Sequence, residues 1–364
     1  MRSQELKQAL AQLTAIDASD GAFLSCYLDA RKGKAACQCF LEQKAAVIRQ
    51  ALSGHARLDF ENALVALQRQ LETRWDDEAQ GLAMFSRGVA GGRFMSVMRF
   101  AAPFENSLVL YRVPEVLPLI ELLQREPEFT LVLSQSDQVQ VLDIDLGVAR
   151  PRAWVNQTAM ASSVPDTSGG KVAASAARGR PKLVDRFLRL FRRSTVASPL
   201  PLLLAGDEST LARVVDWLPQ RAISRLLGTV AVARGCDQRE AVAFVRRRLA
   251  GIHAEASKRL VTQLVPALRQ RGSAVLGHIA SLEALRRGTV DTLVIADRGR
   301  LDVGANWDAK IELSRQALRQ GARVLLADTA GLRRLGGVAC LLRPGTPARA
   351  AKLPALSGQL KLVA

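Results

Sequence analysis

Leu6, Leu10 and Leu13 recur at helical spacing, so the chain opens on an amphipathic helix over residues 2–14. Phe23 to Leu28 is a short apolar run closed by Asp29, the pattern of a buried strand. Two stretches at about 37–53 and 57–74 return to the helical period. GLAMFS at 81–86 reads as a second buried strand, and Gly91-Gly92 marks a turn. Further strands are predicted near 94–99 and 107–112, and Pro114 and Pro118 open a helix that ends near Gln124. Together these elements predict an α/β domain over residues 1–122.

The pattern then changes. TLVLS, VQVLDID and ARPRAWV, between residues 130 and 155, predict three strands. Large apolar side chains almost vanish from 156–181, where Ala, Ser, Thr, Gly and Pro dominate, so an exposed loop is expected. A basic amphipathic helix follows, with Leu183, Phe187, Leu190 and Phe191 on one face. A strand (200–205), a helix (207–218) and a strand (224–232) complete a middle domain over 123–235. Residues 236–364 begin with a long helix at 237–271, then alternate strand and helix through AVLG, ASLEALRRG, DTLVIAD, 307–320, ARVLLAD, AGLRRLG and VACLLR. The expectation is an α/β protein of three consecutive domains, the last an α/β/α layer.

Composition adds compartment and partner class. Apolar residues make up 48% of the chain, enough for several cores. No apolar run reaches the ~18 residues of a membrane span. The first residues, MRSQELKQAL, lack a signal-peptide core. The five cysteines (Cys26, Cys37, Cys39, Cys236, Cys340) are irregularly spaced, which suits reduced thiols. A cytoplasmic protein without a membrane partner is expected, and no motif calls for a cofactor.

Charge carries more information. The net charge is +17, and it is not spread evenly. Residues 1–122 hold 14 basic and 14 acidic side chains, residues 123–235 hold 15 and 10, and residues 236–364 hold 22 and 10. Within 171–193, eight basic residues stand against Asp185 alone. Such clustering favours a polyanion, so the candidate RNA-binding residues are Arg178, Arg180, Lys182, Arg186, Arg189, Arg192 and Arg193, with Arg246, Arg247, Arg248, Arg286 and Arg287 farther on. A solvated helix surface is the alternative reading of the last five.

Other chemistry is sparse. Cys37 and Cys39 have no second ligand pair, and His55, His253 and His278 are scattered, so a zinc site is not expected. Asp143 and Asp145 share one face of a strand. They offer a divalent-cation site for a hydrolase or nuclease, or simply a solvated strand face. Gly169-Gly170-Lys171 is not a phosphate-binding P-loop, because Val172 stands where Ser or Thr is required.

Three stretches give the chain a resemblance to the archaeo-eukaryotic class-1 peptide chain release factors and Pelota, and to their bacterial relatives. They are FLSCYLDARKG with GLAMFSRG, then TSGGKVAASAARGRPKLVDRFLRLF with PLLLAGDESTLARVVDWL, and GSAVLGHIASLEALRRGTVDTLVIAD with SRQALRQGARVLLADTAGLRRLGGVACLLR. The resemblance implies a ribosome-binding translation factor that contacts rRNA or tRNA. Its third domain would be similar to the L7Ae/L30e fold and would offer a surface to a protein partner. In release factors a Gly-Gly-Gln loop tip serves peptidyl-tRNA hydrolysis. Here Gly169 and Gly170 precede Lys171, which implies a factor without efficient hydrolysis. The same two glycines also read as flexible loop residues, and an adaptor or stress protein that keeps only the fold is the other outcome.

Overall fold

The alternation of helix and strand is realised as a mixed α/β fold with three sheets. This computed structural model describes residues 1–17, 22–88, 93–134, 138–156, 200–206, 211, 214–216, 218–233, 236–269, 273–296, 305–327, 330–334 and 336–343. The chain divides into two compact units, one made of residues 3–124 and 253–364, the other of residues 125–252.

In the first unit, α1 (Ser3–Ala15) is followed by β1 (Phe23–Asp29), α2 (Lys34–Gln50), α3 (Gly54–Thr73), β2 (Gly81–Arg87), β3 (Phe94–Phe100), β4 (Ser107–Tyr111) and α4 (Leu117–Arg125). The sheet is antiparallel in the order β3-β2-β1-β4. Every residue of β1 is buried, which explains why it reads as a continuous apolar run. One face packs Leu24, Leu28 and Met84 on Leu41, Phe60 and Leu67 of α2 and α3. The other is aromatic, with Tyr27 edge-on to Phe85 at 5.8 Å and tilted against Phe104 at 5.2 Å. Helix α2 starts three residues earlier than the periodicity suggests, because a 3₁₀ turn at Ala30–Lys32 ends on Gly33 at φ 84°, and the helix begins directly after it.

The same unit holds a second sheet of β10 (Ala274–Leu276), β11 (Val290–Ala296), β12 (Arg323–Ala327) and β13 (Val338–Leu342), in the order β10-β13-β11-β12. Only β11 and β12 run parallel. Its helices include α7 (His278–Arg286), α8 (Ala305–Arg319) and α9 (Ala330–Arg334). Helix α7 starts at His278 rather than at Ala280, since Gly277 at φ 83° makes the break.

Strand β12 lies at the sheet edge, and a side chain caps it. Gln124 Nε2 donates to the Val324 carbonyl at 3.0 Å, and the Leu326 amide donates to Gln124 Oε1 at 3.1 Å. A residue of a neighbouring parallel strand makes the same two bonds. Gln124→Ala should open them, each worth about 1 kcal/mol net. Amide hydrogen exchange at Leu326 is expected to accelerate by about tenfold, and unchanged exchange would show that the cap adds nothing.

The second unit carries a five-stranded sheet, β7-β6-β5-β8-β9, of β5 (Phe129–Ser134), β6 (Gln138–Asp145), β7 (Val148–Asn156), β8 (Leu202–Gly206) and β9 (Leu226–Ala231). β5, β8 and β9 are parallel, while β6 and β7 return as hairpins. One face packs Val132, Val141 and Leu204 on Leu211, Val214 and Leu218. The other packs Leu131, Leu133 and Leu203 on Ala241, Val245 and Leu249 of α6 (Gln238–Arg269). The short helix α5 (Gln220–Ile223), opened by Pro219, carries no periodic signal long enough to read. The predicted loop tip Gly169, Gly170 and Lys171 lies outside the described residues.

Candidate nucleic-acid interface

Arg178, Arg180, Lys182, Arg186, Arg189, Arg192 and Arg193 also lie outside the described residues. The other five candidates fall on two helices and have different fates. Arg246 is committed within the second unit. Its Nε donates to Glu126 Oε2 at 2.9 Å, and its Nη2 pairs with Glu126 Oε1, a two-pronged guanidinium–carboxylate clasp. The Glu126 side chain is only 10% exposed, so the clasp neutralises a buried charge.

The clasp also seats a turn. β6 and β7 are joined by Leu146 at φ 46° and Gly147 at φ 78°, the positive pair of a two-residue hairpin. A Cβ on Gly147 would stand 2.8 Å from Arg246 Nη2 and 3.3 Å from Glu126 Oε2. Glycine is therefore needed twice, for its φ and for the guanidinium packed on it.

Arg247 and Arg248 are exposed on α6 beside the exposed ring of Phe244, and they make no ion pair among the described residues. In the first unit, Arg286 is exposed on α7, while Arg287 pairs with Glu283 one turn back at 3.1 Å, a surface contact with both side chains 54% exposed. Arg247, Arg248 and Arg286 thus keep cations turned to solvent.

Asp143 and Asp145 do share a strand face, and arginines of β7 answer both. Asp143 accepts from Thr130 Oγ1 at 3.1 Å and pairs with Arg152 at 3.2 Å, while Asp145 pairs with Arg150 at 3.5 Å. This cross-strand charge ladder leaves little anionic field for a cation. Among the described residues no group of three or more His, Cys, Asp or Glu is placed to hold a metal. Cys37 is buried while Cys39 is exposed, and none of the five cysteines is in a disulfide. Burial pushes the Cys340 thiol up to about 11.

His278 is the one histidine with a distinctive setting. Its Nε2 is sealed from water without a hydrogen-bond partner among the described residues. Burial, then the positive charge of Lys310, holds its pKa below the ordinary 6.5. The unfolded chain therefore takes up the proton more readily than the fold does, so stability is present above pH 6.5 and is lost as pH falls below it. Acid titration of the melting temperature should show this loss, and His278→Gln should flatten it; an identical slope in the variant would remove the histidine from the account.

No protein-family model matches the chain, and no curated protein matches it in sequence. Solved structures do match in fold. An archaeal translation termination factor, aRF1, is similar with 18% identity, over 94% of this chain and 98% of that one, at a TM-score of 0.29. Dom34 of S. cerevisiae, described as a translation termination-like factor of RNA quality control that interacts with Hbs1, matches with 10% identity over 97% of this chain and 95% of its own, at 0.41. A ribosome-bound archaeal Pelota matches with 12% identity over 94% and 95%, also at 0.41. No helix among the described residues is long and apolar enough to cross a membrane.

Proposed function

We propose that the chain is a translation-associated factor that binds ribosomal or transfer RNA, and that it occupies its site without efficiently cleaving peptidyl-tRNA. The observation that carries this reading is the placement of charge. Residues 1–122 are neutral, whereas the whole excess of +17 lies beyond them, with eight cations in 171–193. The three stretches similar to release factors and Pelota give that charge a partner. Arg247, Arg248 and Arg286 add exposed cations, and Arg246 is excluded by its clasp on Glu126.

The want of hydrolysis rests on Lys171. Orienting a water toward an ester needs a group that can accept a hydrogen bond, and a charged ammonium only donates. Stalled ribosome complexes carrying labelled peptidyl-tRNA test this directly. No release by the wild-type chain, with release appearing in Lys171→Gln, is the expected result. Rapid release by the wild type would overturn it.

RNA binding is tested by salt. Log affinity should fall linearly with log salt, and each phosphate contact removed should flatten the slope by about 0.7–0.9. Reversing Arg189, Arg192 and Arg193 to Glu should weaken binding and flatten the slope. Unchanged low-salt affinity would refute the assignment. Co-sedimentation with ribosomes, lost in the same variant, separates a ribosomal factor from an adaptor that keeps only the fold.

A further inference from the structure

Helix α1 is short, and its role is not settled by the sheet beside it in sequence. Leu6, Leu10 and Leu13 form one apolar stripe, and all three are buried, at 0%, 5% and 2% exposure. The stripe lies against α8, roughly 300 positions away in the chain. A helix laid on a sheet keeps one face wet. α8 does not, since Trp307, Lys310, Ile311, Leu313, Arg315 and Ala317 are all buried. Its second face is covered by the N-terminal segment, with α1 as the main helical cover.

The end of this seam is polar. Arg315 Nη2 donates to the Ile16 carbonyl at 2.9 Å, just past the C-terminus of α1. The Asp17 carboxylate stands 3.9 Å from Arg315 and 3.8 Å from Arg319, and it is 78% exposed. The fit is incomplete. Arg315 Nε and Glu312 Oε2 are buried with no hydrogen-bond partner among the described residues. A helix of 13 residues has little stability of its own, so α1 is helical because the groove holds it.

We propose that α8 carries a helix-binding groove, that α1 fills it in cis, and that its alternative occupant is an amphipathic helix of a protein partner. The groove specifies that helix chemically. It needs apolar residues at i, i+4 and i+7, a free carbonyl at its C-terminal end for Arg315, and a carboxylate just beyond to meet Arg315 and Arg319. α1 and Asp17 satisfy all three. A strap joined to the same chain competes at high effective concentration, so a partner gains entry only with further contacts or when the strap is released. The unsatisfied atoms at the Arg315 end mark where release begins. This inference is independent of the RNA-binding reading.

The test keeps the full chain and places a protease site immediately after Asp17. The probe is a labelled peptide of residues 3–17, followed by fluorescence anisotropy. Before cleavage the groove is filled, and the peptide should not bind. After cleavage it should exchange in, and Leu10→Glu in the peptide should abolish binding. Arg315→Ala in the cleaved chain should weaken binding by about tenfold. Equal binding before and after cleavage would overturn the proposal, because the peptide would then be reading another surface. A cleaved chain that takes up no peptide, or that loses its fold once α1 is diluted away, would equally overturn it by making α1 ordinary core.

Discussion

Replacing Arg246 by Ala should destabilise the second unit by on the order of 3 kcal/mol, while leaving the salt slope of RNA binding unchanged. The cost is that of stranding Glu126, which is only 10% exposed, without its counter-charge. The lower part of the usual range applies, because a third of the arginine side chain is itself exposed. A Glu126→Gln, Arg246→Met double variant should recover much of the loss, since a neutral pair leaves no orphaned charge. Denaturant unfolding of the two variants measures the difference. If the single and double variants unfold alike, the clasp is not what stabilises the turn. If Arg246→Ala flattens the salt slope, the guanidinium reaches RNA after all.

The second large effect is expected at Trp307. Its indole Nε1 donates to Glu115 Oε1 at 2.9 Å, and its ring lies 5.4 Å from the ammonium of Lys310. Glu115 is fully buried and is held from the other side, where Tyr27 Oη donates to its carbonyl at 2.6 Å and its amide donates to Ser25 Oγ at 3.0 Å. One glutamate thus ties the first sheet to α8. Trp307→Ala removes a buried ring, at about 3–5 kcal/mol, and weakens the support of a buried carboxylate. For a unit of this size that should lower the melting temperature by about 10 °C. Trp307→Phe keeps most of the ring and loses only the indole donor, so it should cost about 1–3 kcal/mol. Equal losses in the two variants would assign the whole effect to the hydrogen bond, and no loss in either would remove Trp307 from the core.

The strands were the most legible part of the chain, because each is either continuously apolar, as β1 is, or bounded by turn residues, as β11 is. The exposed state of Arg247, Arg248 and Arg286 also agrees with their place on polar helix faces. Arg246 could not be told from its neighbours in Arg246-Arg247-Arg248. What distinguishes it is Glu126, 120 positions earlier, and no local period encodes a partner at that distance. Gln124 likewise reads as a solvent-facing helix residue, and only the fold brings the edge of β12 to its amide. Trp307 and Lys310 read as one turn of a helix. Their joint burial depends on residues near position 115, which spacing along α8 does not reveal. Asp143 and Asp145 were correctly placed on one face, but their chemistry is set by Arg150 and Arg152, whose register follows from the Leu146-Gly147 turn.

The bond from Arg315 to the Ile16 carbonyl spans 299 positions, so it has a consequence for how the protein is made. At 5–20 residues per second, about 15–60 s separate the emergence of α1 from that of its cover. Throughout that interval the leucines of α1 have no groove to enter, and the middle unit can fold first between two unfinished halves. The first strand made and the last sheet made must then find each other across an already folded insert. Such late closure is slow and leaves apolar surface open to wrong partners. The nascent chain is therefore most exposed to aggregation, and most in need of a chaperone, at its very beginning.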